Sequence, residues 1–283
     1  MRYTKKQFDL DFPSNDACLD KMFADRYGGV DTCPSCGVIG TRFHRVTGRK
    51  CYACQWCGYQ LHPLAGTIFH KSSTSLVDWF YAIYLFSVSK NGVSAKELER
   101  HLGVTYKTAH RMARQIRLLM SQDGSIGGPG SIIEADETYM GGVRRNGKGP
   151  RGKIPVMGVV ERGGEVRAIV VDAAGIRSSK TFIKSSVAPQ SELHTDEARI
   201  YIWTNKEMTH QTVNHSLGEY ARGHITTNTI EGFWGQLKRS IHGTYHSVSQ
   251  KHLQLYVDEF AFRYSHRGEA VYPILLERAS QLS

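Results

Sequence analysis

The sequence predicts an α/β protein in which a mixed sheet with flanking helices follows a small metal-bound module and a short helical one. Three features predict it. Five of the six cysteines lie between positions 33 and 57. Two helical patterns, separated by a glycine, occupy 93–120. After a glycine-rich stretch at 122–130 come three β-rich runs, a helix, a fourth strand and then helices.

Residues 1–30 form an N-terminal helical segment. Within 15–27, Leu19, Met22 and Phe23 follow i, i+3, i+4 spacing, which predicts a packing helix with no chemistry of its own. Cys18 reads as a lone thiol.

Residues 31–70 carry Cys33-Pro34-Ser35-Cys36-Gly37 and then Cys51-Tyr52-Ala53-Cys54-Gln55-Trp56-Cys57-Gly58. Two Cys-x-x-Cys pairs about twenty residues apart suit a tetrahedral four-thiolate zinc site. Cys51 and Cys54 have the same spacing as Cys54 and Cys57. Cys57 precedes a glycine, as Cys36 does, so the zinc ligands are read as Cys33, Cys36, Cys54 and Cys57, with Cys51 a spare. The glycines suit knuckle turns because glycine accepts positive φ. Alternation over 41–52 predicts a hairpin, hence a zinc ribbon. Four protein ligands leave no open position, so the zinc is structural.

Residues 71–121 begin with a core helix over 75–89, where Leu76, Trp79, Phe80, Ile83, Tyr84 and Phe86 recur at helical spacing. Ser94 with Glu97 forms a capping-box pattern. Gly103 ends that helix and Thr105 caps the next, a helix-turn-helix arrangement. The second helix carries Lys107, His110, Arg111, Arg114 and Arg117, with no acid before Asp123. Lys107, Arg111 and Arg114 are read as DNA contacts. The net charge of +10 and pI near 9.3 favour a polyanionic partner. No run of 18 apolar residues exists, and the N-terminus lacks the apolar segment of a signal peptide. A cytoplasmic, nucleoid-associated protein is expected, with no membrane and no small-molecule substrate.

The stretch 122–130 reads as a linker before a catalytic core at 131–267. Asp136 sits in the strand at 132–140, where an aspartate is disfavoured and needs a reason. By alternation Glu134 shares its face, and either substitutes for it or lines the site, while Glu137 points the other way. The basic loop that follows offers Arg144, Arg145 and Lys148 to a phosphate backbone. Runs at 154–161 and 165–172 are joined by a tight hairpin at Arg162-Gly163-Gly164. A helix covers 178–187, and a strand at 191–195 delivers Asp196. Asp172 reads as a turn residue, and His194, His210, His215 and His224 as surface histidines by default, with phosphate contact the alternative. A helix over 226–239 carries Glu231, with Lys238 seven residues on and close to the same face. Phe233 and Trp234 read as core, with base stacking the alternative. A packing helix at 251–264 and a C-terminal tail helix within 268–283 complete the chain. Three antiparallel strands, a helix, a strand and then helices is the order of an RNase H-like core.

From Cys33 to Arg267 the chain resembles bacterial insertion-sequence transposases of the DDE type, in the branch with an N-terminal zinc ribbon. The matching pieces are Cys33-Pro34-Ser35-Cys36, Gly66-Thr67-Ile68-Phe69-His70, Asp136-Glu137-Thr138-Tyr139-Met140-Gly141-Gly142, Thr195-Asp196-Glu197, Asn228-Thr229-Ile230-Glu231-Gly232-Phe233-Trp234 and Gly243-Thr244-Tyr245-His246. The resemblance implies an RNase H-like catalytic domain using Asp136, Asp196 and Glu231, with Lys238 as basic follower. Asn228 competes with Glu231 as third ligand, although a carboxylate suits a hard cation better. Also implied are two Mg²⁺ or Mn²⁺ ions at the carboxylates, and DNA cleavage followed by strand transfer. Phosphate contacts from Lys238 and Arg239 belong to the same picture. The partners would be transposon terminal inverted repeats and target DNA, held by a homodimer or larger synaptic complex. Two rival functions stand beside this one: a non-catalytic DNA-binding regulator, and an RNase H-like nuclease that cuts without joining.

Overall fold

The computed structural model describes residues 3–141, 153–204 and 208–281. They fall into two compact units. The first combines Met1–Ser89, Ala95–Leu119 and Glu269–Ser283; the second combines Lys90–Ser94 and Met120–Gly268. Among the described residues no helix is long and apolar enough to cross a membrane.

The first unit opens with α1 (Lys5–Asp11) and α2 (Asn15–Tyr27), capped by Thr4 and Ser14. A three-stranded antiparallel ribbon follows: β1 (Phe43–Arg45), β2 (Tyr52–Cys54) and β3 (Gln60–Leu61). Then come α3 (Leu76–Val88), α4 (Ala95–Leu102) and α5 (Tyr106–Leu118). Helix α3 is apolar on nearly every side, with Trp79, Phe80, Ala82, Ile83 and Phe86 fully buried. A helix of that kind has to be the centre of its unit. The C-terminal helix Val271–Gln281, expected as a tail, packs on α2 and α3 in this same unit. Its Tyr272 stacks on Tyr3 at 4.5 Å and meets Phe12 and Tyr84 edge-on.

Gly103, at φ +64°, turns the chain from α4 into α5, whose N-cap Thr105 accepts from the Thr108 N–H. Lys107, Arg111 and Arg114 are exposed at i, i+4 and i+7, hence on one face. Arg117 does not join them. It is buried, with its guanidinium 5.2 Å from the Phe86 ring centre, so its long side chain packs in the core.

The second unit is built on a five-stranded mixed sheet. Its elements are β4 (Ile132–Met140), β5 (Ile154–Glu161), β6 (Val166–Val170), α6 (Ile176–Ser186), β7 (Glu192–Thr195), β8 (His210–Thr212), a hairpin of β9 (Ala221–Arg222) and β10 (Ile225–Thr226), α7 (Asn228–Ser240) and α8 (Gln250–Ser265). The strand order is β6-β5-β4-β7-β8. β4 runs antiparallel to β5 and β5 to β6, while β7 is parallel to β4 and to β8. One face packs Val156, Val160, Ile230, Phe233, Leu237 and Phe260 under α7 and α8. The other packs Ile133, Ala135, Val159, Ile183, Leu193 and Tyr201 under α6. Strand β8 was not foreseen: three residues of polar His-Gln-Thr carry no alternation.

The stretch read as a linker is held against this unit. The Gln122 side chain donates to Ala168 O (3.2 Å) and accepts from Ala168 N (2.7 Å). Ile126 is buried and bridges to Val187. Gly127, at φ +91°, lies so close to the strands that a Cβ there would meet Ser191 Oγ at 2.5 Å. Gly127 thus serves close approach rather than freedom of movement.

Helix α7 is started by a residue far away in sequence. Thr227 makes no side-chain cap. The fully buried Glu134 of β4 does so instead, accepting from Thr229 N (2.7 Å), Ile230 N (3.1 Å) and Thr229 Oγ1 (2.9 Å). Arg162, read as a hairpin residue, donates Nε to Glu134 Oε1 at 2.7 Å and its terminal nitrogens to the carbonyls of His224 (2.6 Å) and Thr226 (3.0 Å). The anion therefore meets both a helix N-terminus and a guanidinium, each favourable to negative charge. Glu134→Gln leaves the part-buried Arg162 against a neutral amide. It should lower unfolding stability by about 1–3 kcal/mol, read from denaturant titration followed by tryptophan fluorescence. An unchanged midpoint would mean that the apolar face of α7 holds the helix by itself.

Candidate functional site

The ribbon brings four thiols together. Each knuckle closes on a backbone bond, Gly37 N–H to Cys33 O (2.9 Å) and Gly58 N–H to Cys54 O (3.0 Å), and both glycines have positive φ. Cys33 and Cys57 Sγ lie 3.7 Å apart, and Cys36 and Cys54 Sγ 3.9 Å. A tetrahedron with Zn–S bonds of about 2.3 Å has edges of about 3.8 Å, so the donor set fits structural zinc. Cys51 is buried outside the cluster, its Sγ directed to Gln60 Oε1 at 3.5 Å.

In the second unit, Asp136 lies mid-strand on the face covered by α7. Its cross-strand neighbour is Gly158. A Cβ on Gly158 would stand 2.6 Å from the Trp234 ring, so glycine lets the indole lie on the strand. From there Trp234 Nε1 donates to Asp136 Oδ2 at 3.1 Å. Burial raises the Asp136 carboxyl to about 7, with the charges of Glu137, Asp196 and Glu231 adding to it. Asp196 follows directly on β7 and accepts from Ala198 N at 3.0 Å. Burial raises its pKa as well, and the charges of Glu197 and Glu231 push the same way. Glu231, in the first turn of α7, accepts from Thr227 Oγ1 at 3.0 Å and lies 3.8 Å from His215 Nε2.

The neighbouring acids are engaged elsewhere. Glu137 does point to the opposite face, where it accepts from the Tyr201 hydroxyl at 3.0 Å. Glu134 shares the face of Asp136, but it caps α7 rather than lining a site. Glu197 accepts from the N–H groups of His215 (2.9 Å) and Ser216 (3.0 Å). The Ser216 hydroxyl, above all, holds it down at about 2. Asn228 opens α7 with its backbone N–H on Thr226 Oγ1 at 3.2 Å. Lys238 and Arg239 are exposed in the last turn of α7. Arg144, Arg145 and Lys148 lie outside the described residues.

Among the described residues, two groups bring three or more ligand atoms within 4.8 Å: the four cysteines, and Glu192, His194 and His224. The Asp136, Asp196 and Glu231 set is wider than that. Its hard oxygen donors and mutually repelling charges, two part-buried and Glu231 exposed, suit Mg²⁺ or Mn²⁺. The histidine group does not suit a metal. His194 Nδ1 faces the Arg162 Nη2 donor at 3.2 Å, and Nε2 lies 3.0 Å from Glu192 Oε1. Nδ1 must therefore accept, and Nε2 carries the proton. A histidine ligating through Nε2 needs Nδ1 to donate.

The surface reading of His194 thus fails, since it is fully buried beneath Arg162. His210 is also built in, bonded to Thr195 Oγ1 (2.9 Å) and Thr204 Oγ1 (2.8 Å), and burial pushes it down to about 4. The sequence reading also missed the roles of Gly158, Arg162, His215 and the Trp234 indole. A glycine inside the apolar run Val156-Met157-Gly158-Val159-Val160 was the one available signal.

A mixed sheet with acids from its central strand, the adjoining strand end and a helix, together with a four-cysteine ribbon, defines a zinc-ribbon α/β protein with an acidic site. Family models make the class specific. Residues 127–265 match the ISXO2-like transposase domain, and residues 13–60 match the transposase zinc-ribbon domain. The chain belongs with the zinc-ribbon insertion-sequence transposases. A search of curated proteins returns no match.

Two outcomes follow. Cys36→Ser should lose bound zinc, whereas Cys51→Ser should keep it, as metal analysis of the purified proteins would report. Asp136 has a raised folded pKa, so its contribution to stability is full below its unfolded value. It is lost as pH rises through about 7. The ceiling is about 4 kcal/mol for a shift of about three units. In zinc-loaded protein without Mg²⁺, Asp136→Asn should melt higher than wild type at pH 8 and level with it near pH 4. Equal melting at pH 8 would remove the repulsion argument.

Proposed function

We propose that this chain binds the ends of an insertion sequence and catalyses strand cleavage and strand transfer, in an RNase H-like unit, at Asp136, Asp196 and Glu231. The observation that supports this most is Asp136 itself. It is a carboxylate placed mid-strand in a part-buried position, lifted to about 7 by burial, then by Glu137 on its own strand, and by Asp196 and Glu231. Folding tolerates that arrangement poorly unless a cation shares the site.

Asp136, Asp196 and Glu231 would hold Mg²⁺ or Mn²⁺, whose charge supplies Lewis acidity toward the attacking and leaving oxygens of a phosphodiester. Trp234 Nε1–H fixes the Asp136 carboxylate in one orientation. Glu197, by gripping His215 and Ser216, keeps the loop that carries His215 beside Glu231. Lys238 and Arg239 offer point charges to backbone phosphates, as do Lys107, Arg111 and Arg114 on α5. In cleavage, water attacks phosphorus, and the P–O bond to the 3′ oxygen breaks as the new one forms. In strand transfer, the freed 3′-hydroxyl attacks a target phosphodiester in the same way. No side chain becomes covalently attached. Two ends must be cut and joined together, which calls for a dimer or larger assembly.

Glu231 is preferred to Asn228 as the third ligand because its charge acts on both Asp136 and Asp196. Cleavage and joining of a labelled DNA end from the element's own flanks, with Mg²⁺ or Mn²⁺, tests the reading. Asp136→Asn and Glu231→Gln should each lose at least about 100-fold in rate, while Asn228→Ala should retain most of it. Specific binding without chemistry in the wild type would favour a DNA-binding regulator. Nicking without joining would favour a nuclease.

A further inference from the structure

The stretch Gly66-Thr67-Ile68-Phe69-His70 has no part in the chemistry above, yet it is tightly built. Thr67 Oγ1 donates to Leu64 O (2.9 Å) and accepts from Phe69 N (3.2 Å), and Ile68 and Phe69 are buried. Gly66 N–H donates to His70 Nδ1 at 2.8 Å. With Nδ1 accepting, the neutral His70 ring carries its proton on Nε2, which remains available as a donor. The next residue, Lys71, holds φ at +52°, an uncommon conformation for a side chain of this size.

Phe69, His70, Lys71 and Ser72 line a pocket of about 330 Å³ together with Lys50 and His62. Lys50, His62, His70 and Lys71 are all exposed. Lys50 Nζ lies 3.5 Å from Ser72 O, and Arg111 Nη2 donates to Ser72 Oγ at 3.0 Å, so Ser72 ties a ribbon cation and an α5 cation together. Trp79 Nε1 donates to the same Oγ at 2.9 Å, and the Arg111 guanidinium lies 5.6 Å from the Trp79 ring centre. No carboxylate lines the pocket. Between Asp31 and Asp78 the sequence has five Lys or Arg residues, three histidines and no acid. Arg45, by contrast, is paired with Asp16 and Asp20. Like charges gathered with no carboxylate among them repel one another, and an anion in the pocket lowers that cost.

We propose that this pocket is a phosphate site through which the zinc-ribbon unit grips a DNA backbone phosphate. Lys50, Lys71 and the Nε2–H of His70 are its donors, and Arg111 stands beside it through Ser72. The proposal rests on the reading that the chain acts on DNA, and it extends the contact surface from α5 onto the ribbon. Contacts of this kind carry no sequence information, so they should strengthen binding to cognate and random duplexes alike.

The test is fluorescence anisotropy of full-length, zinc-loaded protein on the element's own end and on a random duplex, between about 50 and 200 mM salt. In Lys50→Gln/Lys71→Asn, where asparagine tolerates the positive φ, the slope of log K against log salt should become shallower by about 1.8. Affinity should fall equally on both duplexes with zinc content unchanged. Arginine at both positions should restore the slope. If the double variant loses zinc, Lys50→Gln alone should flatten the slope by about 0.9. An unchanged slope with zinc retained overturns the proposal. So does zinc loss with an unchanged slope, which would make the lysines counter-charges to the thiolates. Cleavage by wild type with no slope change in the variant would remove this site alone. A flattened slope from a protein that never cleaves would leave the site and remove the transposase chemistry.

Discussion

The second unit depends on one ion pair at the start of α7, between a buried carboxylate and a part-buried guanidinium. Glu134 is fully buried and is saturated by Arg162 Nε, two backbone N–H groups and the Thr229 hydroxyl. A charge so placed is tolerable because every donor is in position. It fixes where α7 begins and how the helix is rotated on the sheet. Glu231 and Trp234 follow within the next two turns, so both inherit that position. Trp234 then reaches Asp136 across the gap that Gly158 leaves. Two carboxylates two residues apart on one strand face thus take different work: Glu134 holds the helix, and Asp136 faces what the helix presents.

The same contrast recurs around Asp196. Glu197 has a hydroxyl and two backbone N–H donors, which hold its pKa low. Asp196 keeps a backbone donor from Ala198, yet burial and neighbouring charge still raise it. Donor saturation separates the acids that build the fold from those proposed to hold a cation. The two proposed metal chemistries also divide by softness: thiolates on knuckles for zinc, and oxygens from a strand, a strand end and a helix for Mg²⁺ or Mn²⁺.

Much of this was legible where the determining contacts are local. The knuckles need two cysteines, a turn and a glycine within a few residues, and the sequence spells them out. The helices 75–89, 226–239 and 251–264 were readable from spacing, and β4 to β7 from apolar runs and turns. Elsewhere local reading misled. Arg117 looked like its basic neighbours on α5, because spacing cannot tell that Phe86 lies beneath it. The glycines of 122–130 suggested a loose linker, although the segment is held by Gln122 and Ile126. His194 read as a surface residue, since nothing near it in sequence announces Arg162.

The sequence by itself determined the element types, the zinc ligands' spacing, the excess of positive charge and the presence of acids in a strand, after a strand and on a helix. These depend on patterns within about one turn, one hairpin or one knuckle. The tertiary structure decided which acids are already satisfied, that the C-terminal helix completes the N-terminal unit, and that Cys51 lies apart from the other ribbon thiols. It also decided that α7 is capped by a residue 95 positions before Thr229. Burial and hydrogen-bond partnership are set by whatever packs against a side chain, and those neighbours come from anywhere along the chain.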